Sequence, residues 1–147
     1  MEYTVLLFLH VLGACTWTGG YLFLATRLVP AALRRRDPSL LAAFDERFKL
    51  LGHAALGVQL LTGFRLAQLH LPMAAWFSLE TTASTHIAAK LGLLAATVLL
   101  AVHARVRVAR PLTPENVGAA AAHAVAIAAV AVLLVMVGLG LRIGGLY

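Results

Sequence analysis

The stretch FLHVLGACTWTGGYLF, residues 8–23, lies inside a segment that carries no formally charged residue from Tyr3 to Thr26. A helix needs about 20 mostly apolar residues to cross the hydrocarbon of a bilayer, and this segment is long enough. Its start is acidic and its apolar run is longer than that of a secretory signal, so we expect it to remain as a membrane helix. It nevertheless contains an imidazole, His10, and an ionisable group within a membrane span generally indicates function.

The composition of the whole chain also indicates a protein that lies in a lipid bilayer. Of 147 residues, 61% are hydrophobic and only 12% are charged, with a mean hydropathy of +0.89, values outside the range of water-soluble domains. Three further apolar segments follow the first, so the chain predicts four transmembrane helices, at about residues 3–29, 48–69, 84–106 and 117–141. With no internal repeat and no second domain, residues 1–147 are expected to form one antiparallel four-helix bundle, an all-α integral membrane protein.

The distribution of positive charge predicts the orientation. Nine of the twelve basic residues fall at the ends joined by the first and third connections: Arg27, Arg34, Arg35, Arg36, Arg47, Lys49, Arg105, Arg107 and Arg110. By the positive-inside rule these connections are cytoplasmic and both termini are periplasmic. We therefore predict a multi-pass protein of the bacterial inner membrane whose basic residues contact lipid headgroups; no aromatic-interleaved basic face indicates nucleic acid.

The six histidines are predicted to form two layers on this topology. The outer layer contains His10, His70 and His86, with Lys90 one turn below His86; the inner layer contains His53, His103 and His123, each five or six residues from its helix end. At 1.5 Å per residue, the inner three lie on the order of 8 Å into the apolar slab. Random placement would not often sort six histidines in this way.

A ring of four helices with short loops places the first and third helices on one diagonal and the second and fourth on the other. His10 would then face His86 or Lys90, and His53 would face His123. Two imidazoles on opposite sides of a macrocycle are what bis-axial ligation of haem iron requires. We therefore predict one or two b-type haems and a membrane-embedded electron path, linked to a quinone, a porphyrin or another membrane redox protein.

Other residues in the spans fit a haem. Gly13, Trp17 and Gly20 share a stripe with His10, and small residues near a ligand would let a flat macrocycle lie against the backbone. Arg65 is expected to pair with a haem propionate. Lys90 is assigned a catalytic, axial or propionate-binding role, with snorkelling to the outer interface as the alternative.

Copper is the main alternative cofactor. Three histidines at one depth, His53, His103 and His123, would suit a trigonal copper site, but the chain lacks the paired cysteines and methionines that cuprous ion prefers. His86 and His103 lie about 100° apart around the third helix, so only one of them points at the bundle centre. Haem is therefore favoured over copper, and a structural or assembly subunit of a respiratory complex, or a homodimer, is left open.

Three stretches carry a resemblance to a known superfamily: LHVLGACTWTGGYLF, ERFKLLGHAALGVQLLTGFRLA and HIAAKLGLLAA. Together they resemble the CopD-like (copper-resistance protein D) membrane domain over about two-thirds of the chain, at Trp17, Gly19, Gly20, Arg47, Phe48, Thr62, Gly63 and Lys90. That resemblance implies copper transport. The spacing of His10, Trp17 and Gly20, the single lysine in the third helix and the chain length also resemble the four-helix protoporphyrinogen oxidase HemJ, which implies a membrane oxidoreductase with functional roles for His10 and Lys90.

Overall fold

The computed structural model describes residues 1–104, 106 and 112–143, with the backbone alone at 142 and 143. The described residues form helices joined by short turns: α1 (Glu2–Phe23), a π-helical turn (Leu24–Leu28), α2 (Val29–Arg35), α3 (Ser39–His70), a 3-10 turn (Met73–Ala75), α4 (Thr82–His103) and α5 (Val117–Ile143). Four helical runs are long and apolar enough to cross a membrane, as the sequence predicts: Glu2–Arg35, Ser39–His70, Thr82–His103 and Val117–Leu141.

The first helical run passes from α1 into α2 through the π-helical turn. Pro30 stands at the start of α2 and has no N–H to donate. The backbone adapts by widening one turn, in which the N–H of Val29 bonds to the carbonyl of Leu24, five residues back. The helix therefore continues past the proline to Arg35 instead of ending near residue 29.

The connection between α2 and α3 is shorter than the sequence indicates, because the charged segment before residue 48 is helical. Arg36 adopts a left-handed conformation with φ of 50°, and the carboxylate of Asp37 accepts a hydrogen bond from the N–H of Ser39 at 2.9 Å. Hydrogen bonding from the hydroxyl and from the N–H of Ser39 holds the pKa of Asp37 below its usual value. α3 thus begins nine residues before the predicted boundary, since Leu41 and Phe44 turn toward the neighbouring helices while the charged side chains that follow, Asp45, Glu46 and Arg47, are exposed.

Close backbone contacts join α1 to α3, α1 to α5 and α4 to α5. The diagonal pairs, α1 with α4 and α3 with α5, are not joined in this way among the described residues. α3 and α4, which are neighbours in the predicted ring, also lack an extensive set of close backbone contacts in the described part of the chain. The contacts therefore account for three of the four sides of the predicted ring, and they do not close the side between α3 and α4.

The main apolar core lies at the end of the bundle that carries Arg34 and Arg35, called here the basic end; the opposite end, with residue 1, is called the terminal end. Small and aliphatic side chains from the π-helical turn, α2, α3 and α5 meet in it: Leu24, Val29, Ala32, Leu41, Val117, Ala121 and Ala124. Alanines at these positions let the helices approach closely. Arg105, Arg107 and Arg110, which contribute to the predicted orientation, lie outside the described residues.

Candidate functional site

His10 lies at the interface between α1 and α3 in the terminal half of the bundle. Its Nδ1 is 2.9 Å from the hydroxyl oxygen of Thr62. The Thr62 hydroxyl donates its own hydrogen to the carbonyl of Val58, so its oxygen accepts from Nδ1–H of the imidazole. This network fixes the tautomer of His10 and leaves a lone pair on Nε2.

Close contacts with α3 hold His10 on both its ring and its backbone. A Cβ placed on Gly63 would lie 2.9 Å from Cε1 of His10, so only glycine fits beneath the ring. The amide of Gln59 donates to the carbonyl of His10, and the same amide nitrogen would lie 3.1 Å from a Cβ on Gly13. The helices therefore pack most tightly around the backbone that carries His10.

The predicted room for a macrocycle against Gly20 is filled by the protein itself. A Cβ on Gly20 would clash with the ring of Phe48, and Phe48 also lies against Gly52 on its own helix. Trp17 packs beside Tyr21, with ring centres 4.7 Å apart, in an aromatic cluster between α1 and α3. The prediction that Gly20 and Trp17 form a wall for a flat ligand is wrong, because large aromatic side chains need the space that glycine leaves.

Lys90 lies on the inward face of α4, together with the buried side chains of His86 and Thr97. Its ammonium nitrogen would be 3.2 Å from a Cβ on Gly138 of α5. Among the described residues Lys90 makes no ion pair and no hydrogen bond. Lys90 therefore packs toward α5, and its predicted proximity to His10 on the diagonal helix stays a prediction.

His86 is 9% exposed and donates Nδ1–H to the carbonyl of Thr82 at 2.7 Å. Its Nε2 carries the lone pair, as in His10. Every fully enclosed side-chain nitrogen or oxygen in the described residues has a hydrogen-bond partner. Nε2 of His10 and Nζ of Lys90 have none among those residues, so both atoms are reachable from outside the chain.

The inner layer of histidines is arranged differently from the predicted one. His103 and His123, on the adjacent helices α4 and α5, are hydrogen-bonded to one another at 2.7 Å between Nδ1 and Nε2. His53 is exposed on α3. The expectation that His53 faces His123 is not met, because the interior face of α3 is taken by smaller residues such as Gly52 and Ala55. No group of three metal-ligating side chains is found in the described part of the chain, so the three histidines do not assemble a trigonal copper site.

Polar contacts also join the helices at the terminal end. Arg65 forms an ion pair with Glu2 at 2.7 Å, in which both side chains are exposed, and His70 bonds to the carbonyl of its own helix at Leu66. Arg65, predicted to bind a propionate, therefore has a carboxylate partner within the protein. Sequence reasoning assigned no site role to Gln59 or Thr62, although two polar residues three positions apart in an apolar span are a signal for an interhelical contact.

The fold and these contacts define a class of protein, a four-helix bundle of membrane-spanning length with a partly buried histidine on α1 and a partly buried lysine on α4. Comparisons with models of protein families, with curated proteins and with solved structures found no match.

Proposed function

We propose that this protein is a membrane-embedded b-type haem protein of the bacterial inner membrane, with its haem in the terminal half of the bundle between His10 and His86. It would exchange electrons with a quinone or another membrane redox partner, or act on a porphyrin. The observation that supports this most is the state of the His10 imidazole: its Nδ1–H is donated to Thr62 and its Nε2 lone pair is left for a ligand.

Histidines that bind metal in proteins usually donate their other ring N–H to an oxygen acceptor, which orients the ring and makes it a better ligand. His10 and His86 both have this arrangement. They lie on the diagonal helices α1 and α4, from which two imidazoles can approach opposite faces of a macrocycle. Haem bound there would supply one-electron redox chemistry, and these two side chains would hold its iron.

The ammonium of Lys90 is suited to pair with the propionates at the edge of the haem. Its ammonium lies on the inward face of α4 and lacks a carboxylate partner among the described residues. A cation at such depth is stabilised by pairing with an anion, and haem carries two propionates. If porphyrin is the substrate instead, the same lysine is the proposed catalytic group.

The packing limits where a macrocycle fits. The surface of α1 that carries Gly13 and Gly20 is closed by Gln59 and Phe48. The side between α3 and α4 has few close backbone contacts in the described residues, so we place the haem toward that side. With His53 exposed and His123 bonded to His103, the proposal comprises one haem rather than two.

The test is the haem content of detergent-purified protein. Wild type should be red, with a Soret band that sharpens on reduction by dithionite, and His10→Ala or His86→Ala should lose the band while helix content is retained. His70→Ala is the matched control, because His70 bonds only within its own helix end and should leave the spectrum unchanged. In Lys90→Met, loss of electron exchange or of activity on a porphyrin, with the Soret band kept, would indicate propionate pairing or catalysis.

A colourless wild-type preparation, or a His10→Ala protein with undiminished haem, would refute the proposal. A colourless, metal-free protein that copurifies with a larger complex would instead support the structural-subunit alternative. Copper in the preparation, retained in His10→Ala, would favour the CopD-like alternative.

A further inference from the structure

His103 and His123 make the closest contact between two histidines in the described chain. Their facing nitrogens, Nδ1 and Nε2, are 2.7 Å apart, the ring centres are 4.9 Å apart and the ring planes differ by 16°. The centre-to-centre distance equals the N···N distance plus roughly one ring radius on each side. The two rings are therefore nearly coplanar, edge to edge, and each nitrogen points along its lone-pair direction at the other.

The protons of the pair can be assigned from its third member. His123 donates Nδ1–H to the carbonyl of Ala119 at 2.9 Å, so its Nε2 is the acceptor and Nδ1 of His103 is the donor. His123 is thereby oriented by a backbone carbonyl with its lone pair directed outward from α5, the arrangement common to metal-binding histidines. His103 is exposed at the last residue of α4, where ions from the aqueous phase reach the membrane surface.

We propose that His103 and His123 form a binding site for a divalent transition-metal ion of borderline softness, such as Zn²⁺, separate from the haem site. Imidazole nitrogens suit zinc, copper and nickel. Two nitrogens at 2.0–2.1 Å from a tetrahedral zinc ion are about 3.3 Å apart, so the facing nitrogens separate by about 0.6 Å from the hydrogen-bonded distance and each ring turns by roughly 35° to direct its lone pair at the ion. The proton on Nδ1 of His103 moves to Nε2 of the same ring, and water completes the coordination.

Such a site would link the basic ends of α4 and α5 through side chains that the proposed haem site does not use. An ion bound to both histidines stabilises the folded pair of helices by mass action, since the unfolded chain does not hold the two rings together. The site requires no residue of α1 or α3. Its existence is therefore independent of whether haem binds at His10.

The experiment measures equilibrium binding of Zn²⁺ alone, by competition with a chromophoric zinc indicator, to tag-free protein in detergent. Wild type should bind one Zn²⁺ per chain. His103→Ala and His123→Ala should each weaken binding at least ten-fold, with helix content checked by circular dichroism. If either alanine variant loses helix content, His103→Gln or His123→Gln takes its place.

His53→Ala is the matched control, because His53 is an exposed histidine outside the pair, and it should bind Zn²⁺ like wild type. Equal binding by wild type and both pair variants would overturn the proposal. So would loss of binding in His10→Ala with the pair intact, which would move the zinc to the proposed haem site. The Soret band in His103→Ala reports on the haem proposal separately.

Discussion

The chemistry of His10 depends on a hydroxyl that belongs to another helix. Thr62 accepts a hydrogen bond from Nδ1–H and donates its own hydroxyl to the carbonyl of Val58, so one threonine decides which nitrogen of the imidazole is left as a ligand. A valine would fill the same volume without this bond. The imidazole of His10 would then lose the contact that fixes its orientation and its tautomer. Thr62 is in this sense a positioning residue for the proposed site.

We expect Thr62→Val to weaken haem binding 10–100-fold, the range found when an outer hydrogen-bond partner of a metal ligand is removed. Thr62→Ser should restore most of the affinity. Thr97→Val is the control, because Thr97 is equally buried but bonds only to the carbonyl of Leu93 on its own helix. Haem titration of the apoprotein measures all four proteins, and equal affinity for wild type and Thr62→Val would contradict the assigned role.

At the scale of elements, α1 and α3 form the most closely packed pair, with glycines of one helix under side chains of the other. Gly13, Gly20 and Gly63 each lie beneath a long or aromatic side chain of the partner helix. This is the pattern by which membrane helices associate, since van der Waals packing replaces the hydrophobic drive that lipid removes. Glycine is required at these positions because α1 and α3 lie close together, and not because the backbone adopts a conformation that only glycine allows.

The requirement for glycine in this close packing can be tested by adding one methyl group, at Gly19 or at Gly20. A Cβ on Gly20 would clash with the ring of Phe48, whereas a Cβ on Gly19 would meet nothing within 4 Å. Gly20→Ala should destabilise the protein by about 1–3 kcal/mol through overpacking, while Gly19→Ala should be neutral or stabilising because alanine is the better helix former. Thermal unfolding in detergent measures both. Equal unfolding temperatures for the two variants would show that the helices separate easily at this point.

At the scale of the whole molecule, the charge pattern predicts that the basic end is cytoplasmic and both termini are periplasmic. Cys15 is first replaced by serine, and single cysteines are then placed at Ser39 and Met73, both exposed and at opposite ends of α3. In intact cells with a permeabilised outer membrane, an impermeant maleimide should label Met73→Cys and spare Ser39→Cys. Labelling of Ser39→Cys before the inner membrane is opened would reverse the orientation.

The number of helices could be predicted from sequence because each span is a long apolar run, and hydrocarbon thickness sets its minimum length. The fourth span, residues 117–141, also lies where the sequence predicts it, whereas the end of the first helical run and the start of α3 could not be predicted. α3 begins at Ser39 because its charged first turns still pack Leu41 and Phe44 onto neighbouring helices, and a hydropathy window detects the membrane but not this amphipathic extension.

The residues that form the candidate site were harder to predict than the depth at which they lie in the membrane. A span that is apolar all round does not indicate its own rotation, so sequence gives the level of each histidine and not the direction in which it points. His86 and His103 illustrate this: they lie on one helix, and the first is buried while the second is exposed. His53 is exposed for the same reason, since Gly52 and Ala55 face α1.

The hydrogen bonds of His10, Gln59 and Thr62, and the ion pair of Glu2 with Arg65, all lie within α1 and α3, and this has a consequence for biosynthesis. The ribosome delivers these two helices before α4 and α5, and their polar groups can satisfy one another during insertion, before α4 is made. Lys90 follows later, on a helix that offers it no partner among the described residues. The order of translation thus brings the span that carries Lys90 to a membrane that already contains α1 and α3.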